Sequence, residues 1–122
     1  MRCRMKGLVL ALAVGLAVLF TASEGRGGFI KGQELYNDCS ADDGSFSVGS
    51  CFGYIIGVVD AGKGVGRRIE WQGGWSACIP KGVTGDQMVE VVKKSLRAHP
   101  EDWHYEANGL VARALDEAFP CP

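Results

Sequence analysis

The chain opens on an uncharged apolar run, Gly7–Phe20, preceded by Arg2, Arg4 and Lys6 and followed by the small residues Thr21, Ala22 and Ser23. Its 14 residues fall short of the roughly 20 that a membrane-spanning helix needs. A basic start, a short apolar centre and a small-residue end are the parts of a secretion signal. Residues 1–23 are therefore read as a cleaved signal peptide, with cleavage after Ser23, and residues 24–122 as one domain. An uncleaved membrane anchor is the rival reading of the same run. Cys3 lies ahead of it and so is not placed as a lipoprotein acceptor.

Beyond the run, the apolar positions predict about four helices and no long strand. Phe29–Cys39 forms a short helix with Phe29, Leu35 and Tyr36 as its apolar members, and Ser40–Ser45 is a turn. Ser45–Gly62 is rich in β-branched and aromatic residues, which suits strand or helix. A capping serine, Ser45 or Ser47, and glycines every four residues at Gly49, Gly53 and Gly57 favour the helix. On a helix those glycines make one smooth face, on which another helix of the bundle is expected to pack.

Thr84-x-x-Gln87 is a capping box that opens the next helix. Met88, Val91, Val92 and Leu96, with Ser95, form its inner face, while Glu90, Lys93, Lys94 and Arg97 point outward. His99-Pro100 ends it, because the residue before proline avoids helical angles, and Pro100 can start a further turn. Ala107, Leu110, Val111, Ala114, Leu115 and Ala118 follow at spacings of three and one, the clearest amphipathic pattern in the chain. The predicted fold is all-α: a small disulfide-bonded bundle.

Between the second and third of these helices, Lys63–Val83 has no sustained period and reads as one long loop. Loops of this length in compact domains tend to be functional or disordered. Arg67, Arg68, Trp71 and Trp75 lie in it. In one reading both tryptophans fold back on the core. In the other they anchor a partner, since tryptophan and arginine are enriched at binding hot spots.

Composition sharpens this picture. Without the signal, Cys39, Cys51, Cys78 and Cys121 remain, an even set in an oxidising compartment, and two disulfides are expected. Of the three possible pairings, Cys51–Cys78 with Cys39–Cys121 is expected, the second tying the two ends of the domain together. With no C-x-x-C pair and only two histidines, a zinc site is not expected. The formal charge of −1 becomes −4 once the three signal cations leave, 10 Lys+Arg standing against 14 Asp+Glu. No basic block with interleaved aromatics points to nucleic acid. Catalysis has little support as well. Oxidised cysteines offer no thiol nucleophile, and no serine sits in a Gly-x-Ser-x-Gly elbow. Glu101, Asp102 and Glu106 near His104 read as a solvated helix start before they read as an acid–base cluster.

Several separated motifs carry a resemblance. They are Cys51-Phe-Gly-Tyr-Ile-Ile-Gly-Val-Val-Asp60, Cys78-Ile-Pro-Lys-Gly-Val-Thr84 with Gln87, and His99-Pro-Glu101 with His104 and Ala107, then Ala114-Leu115 and Ala118-Phe-Pro-Cys121. Together they resemble the small periplasmic immunity proteins of type VI secretion, the resistance-associated and amidase-immunity group. The resemblance implies an all-helical periplasmic domain, often a homodimer, with no cofactor. Such a domain binds a peptidoglycan amidase and occludes its active-site cleft, in some members with a protruding loop. Gly64–Gly74 is the stretch here that corresponds best, although no residue-level motif within it matches. A periplasmic stress chaperone that exposes apolar surface on acidification, or an orphan envelope protein of the same fold, is the alternative.

Overall fold

The computed structural model describes residues 29–122, so the signal-like residues 1–23 lie outside the described residues. Among the described residues, four α-helices and one small antiparallel hairpin share a single core. In chain order they are α1 (Gly32–Cys39), α2 (Phe46–Ala61), β1 (Arg68–Glu70), β2 (Ser76–Cys78), α3 (Gly85–Ala98), a 3-10 turn (Pro100–Asp102) and α4 (Ala107–Ala118). The domain is mostly helical, as the periodicity predicts, and the hairpin is the departure from all-α.

The starts of α2 and α3 follow their capping chemistry. Ser45 caps α2, its hydroxyl accepting from the backbone N–H of Val48 at 3.2 Å. Thr84 and Gln87 form the reciprocal capping box of α3. Met88, Val92 and Leu96 are buried there, whereas Val91 and Lys93 are half-buried, the Lys93 ammonium donating to Glu90 at 3.1 Å. In α4 the predicted positions Ala107, Leu110, Val111, Ala114 and Leu115 are buried and Ala118 is exposed. In α1 Leu35 is buried, but Phe29, expected to join it, is fully exposed and Ile30 packs on the core instead.

The glycine face of α2 is a correction. Its buried residues are Cys51, Ile55 and Val59, one stripe at i, i+4 and i+8. Gly49, Gly53 and Gly57 lie about 200° around the helix from that stripe, and a Cβ added at any of them would meet nothing within 4 Å. Burying large apolar side chains outweighs seating a smooth groove, at about 25 cal/mol per Å² of apolar surface. The helix is therefore turned with its glycines outward.

The disulfides also differ from expectation. They join Cys39 to Cys51 and Cys78 to Cys121, with Cα atoms 5.1 and 4.9 Å apart, and not Cys51 to Cys78 and Cys39 to Cys121. The short turn after α1 brings α2 back against it, so the cysteines that end α1 and begin α2 become neighbours. The N-terminal end of the domain is tied by main chain instead. Gly32 N–H donates to the Tyr105 carbonyl and Gln33 N–H to that of Trp103, both at 3.0 Å, while Ala107 N–H donates to that of Ile30 at 3.1 Å. An ion pair between Lys31 and Glu106 lies on the same seam.

Candidate partner-binding hairpin

The stretch read as a loop is a hairpin with a buried base and an exposed rim. Arg68 pairs with Cys78, Ile69 with Ala77 and Glu70 with Ser76. Alternation along the strands sends Ile69 and Ala77 into the core, both 0% exposed, and leaves Arg68 and Glu70 outside. The sequence conceals this because each strand has three residues, too few to show a period of two. Trp71 N–H donates to the Trp75 carbonyl at 3.0 Å and closes the tip, Gln72-Gly73-Gly74. Gly73 and Gly74 have φ of +99° and +88°, angles that glycine adopts without steric cost.

Four links hold the base. The Trp71 indole N–H donates to the Val58 carbonyl at 3.0 Å, near the end of α2. Ser76 N–H donates to the Asp116 carboxylate of α4 at 3.3 Å, and Cys78 N–H to the Phe119 carbonyl at 2.8 Å. The Cys78–Cys121 disulfide adds a covalent tie to the chain after α4. Beneath the hairpin Gly62 is obligatory, since a Cβ there would stand 2.1 Å from Ile69 Cγ2 and 3.2 Å from Trp71 Nε1. The hairpin can lie this close to the end of α2 only because that position carries no side chain.

Of the four sequence-selected residues, the structure brings Arg67 and Arg68 together on the exposed rim. Arg68 donates from Nε to Glu70 at 2.9 Å, and Arg67 has no ion-pair partner among the described residues. Trp71 folds back on the core, while Trp75 is half-buried outside the core cluster. Trp71 thus follows the reading in which the tryptophans fold back on the core, and Trp75 does not join it there. Gly66 N–H donates to the Ile79 carbonyl at 2.8 Å, which lays the stem of Lys81 over Gly66. Lys81 is not singled out in the sequence, because only this extension of the ladder sets its stem over Gly66. Lys63, also exposed, stands at the foot of the hairpin with a left-handed φ of +86°. The rim is consequently cationic on a domain whose balance is acidic. A shallow cleft of about 330 Å³ runs along it between Gly66, Arg67, Arg68, Ile79 and Pro80.

The acid–base cluster considered around His104 is not assembled. Glu101 pairs with His99, Asp102 with Arg113 and Glu106 with Lys31, while the His104 ring lies against that of Tyr105 at 4.1 Å.

A family model, that of the Rap1a immunity proteins, matches residues 31–121. The match takes in all four helices, the hairpin and both disulfides. No curated protein matches the chain.

Proposed function

We propose that this chain, which belongs to the Rap1a immunity proteins, neutralises a peptidoglycan amidase effector by docking its hairpin rim into the enzyme's active-site cleft. The observation that carries the reading is the hairpin itself. Its base is tied to α2, to α4 and to the C-terminal segment, so Arg67, Arg68 and the glycine tip are presented on a rigid support. Preorganisation of this kind removes much of the ordering cost that a mobile loop meets on binding. Trp75 is the aromatic contact in this proposal, and Trp71 serves by holding the hairpin in place.

The periplasm is the compartment this reading requires. Two disulfides fit an extracytoplasmic location, and the signal-like N-terminus supplies the route. No helix among the described residues is long and apolar enough to cross a membrane. A homodimer belongs to the same proposal. The outward face of α2, with Gly49, Gly53 and Gly57 beside the exposed Phe46, leaves room for a close helix approach, and sedimentation of the mature chain decides it.

The functional test measures inhibition of peptidoglycan amidase effectors of type VI secretion, using the mature chain and an Arg67→Ser/Arg68→Ser variant. Tight inhibition that the double substitution abolishes, with the fold intact, supports the reading. Unchanged inhibition by the variant removes the hairpin from it, and no inhibition by the wild-type chain removes the amidase.

A further inference from the structure

After α3, one turn of chain gathers three metal-ligating side chains. His99, Glu101 and Asp102 place one donor atom each within 4.8 Å of the others. His99 Nδ1 and Glu101 Oε1 are 3.0 Å apart. Two ligands of a tetrahedral zinc ion, with arms of about 2.0–2.1 Å, stand about 3.3 Å apart. The pair is therefore near the required bite before any ion arrives. Asp102 is 20% exposed and held in place, its Oδ2 accepting from Arg113 Nη1 at 2.8 Å.

Charge points the same way. Glu101 and Asp102 bring two negative charges against the one positive charge of Arg113, and a neutral imidazole adds none. The cluster also begins at the C-cap of α3, the negative end of that helix's dipole. An imidazole among the donors favours zinc and its transition-metal neighbours over magnesium or calcium, which prefer oxygen alone. None of this needs a cysteine, so the disulfides do not compete with it.

We propose that His99, Glu101 and Asp102 form a surface site for a divalent transition-metal ion, typified by zinc, bound through one imidazole nitrogen and two carboxylate oxygens with water completing the shell. The ion takes the place of the proton between His99 and Glu101. It clamps the end of α3 to the 3-10 turn and, through Asp102 and Arg113, to α4. This departs from the expectation of no zinc site, which rested on the missing C-x-x-C pair and the two histidines: the domain folds around its disulfides, and the ion is exchangeable. The site shares no residue with the hairpin, and the proposal stands apart from the immunity reading.

The test titrates zinc sulfate into the mature, disulfide-intact chain in a non-chelating buffer, followed by calorimetry and by backbone amide resonances. A saturable one-to-one isotherm with shifts centred on residues 98–103 is expected. His99→Gln should weaken binding at least about tenfold, the least that loss of even an outer-shell partner costs. Glu101→Gln should weaken it too, and His104→Gln should not. Unchanged amide dispersion in each variant shows that the fold persists. Absence of saturation, equal affinity in His99→Gln, shifts centred on His104, or equal displacement by magnesium would each overturn the proposal.

Discussion

The indole N–H of Trp71 donates to the carbonyl oxygen of Val58 at 3.0 Å, and that carbonyl is one of the last four of α2. Those four have no partner within their own helix. Trp103 acts in the same way on α3, its indole N–H donating to the Leu96 carbonyl at 2.7 Å. Two of the three tryptophans thus close helix C-termini from a distance. Trp71→Phe keeps the ring and removes the donor, so it should cost about 1–2 kcal/mol. The loss should be concentrated in the hairpin, and hydrogen exchange at residues 66–79 checks it: faster exchange there with α3 and α4 unchanged is the expected pattern.

The two disulfides should contribute unequally. They close loops of 12 and 43 residues, for which chain entropy gives about 3 and about 4 kcal/mol. A Cys78→Ala/Cys121→Ala variant should therefore melt below Cys39→Ala/Cys51→Ala in the same scan. It should also weaken partner binding more, because of the two disulfides it alone ties the hairpin to the C-terminal segment. The reverse order of melting temperatures would contradict the assignment.

Glycine substitutions should split by face. At Gly32 an added Cβ would stand 2.4 Å from Leu110 Cδ1 and 3.1 Å from the Trp103 backbone. Gly32→Ala is expected to destabilise by about 1–3 kcal/mol through overpacking. Gly53→Ala, in open space on α2, should stabilise by roughly 0.5–1 kcal/mol through helix propensity. Urea midpoints should move in opposite directions, and a raised midpoint for Gly53→Ala is the result that supports the outward glycine face of α2. If α2 is also the dimer face, Gly53→Ala weakens self-association while stabilising the monomer.

Tyr54 sets an alkaline limit. Burial pushes its hydroxyl above the usual tyrosine value of 10.0; the Asn108 backbone N–H opposes the rise, and the Glu106 carboxylate adds to it. Because the folded value lies above the unfolded one, the contribution to stability is complete below the unfolded value and is lost as pH rises through the folded one. Denaturation midpoints should therefore fall as pH rises above the usual tyrosine value of 10.0, and Tyr54→Phe should flatten that fall. An identical slope in the variant would assign it to other groups.

Excising the whole loop would be a poor test of the candidate site. Ile69 and Ala77 are core residues, so a Gly-Ser replacement removes fold along with contact. Substitution of Arg67 and Arg68 alone leaves the core intact and should move stability by less than about 0.5 kcal/mol. Arg67 and Arg68 were legible as candidates from composition. Their separation from Trp71 was not, because the sequence does not record which side of a three-residue strand faces inward.

Local chemistry on its own determined the helix starts at Ser45 and Thr84, the stop at His99-Pro100 and the inward faces of α3 and α4, since caps, proline and a 3.6-residue period act over a few residues. It also determined that the four cysteines would be bonded. Tertiary structure decided which cysteines meet, which face of α2 turns inward and that a glycine-rich stretch pairs as a hairpin. Each of those outcomes depends on how distant elements share one core. The fold of α2 against α1 set Cys39 opposite Cys51, and the space above Gly62 let Ile69 and Trp71 settle where no local pattern placed them.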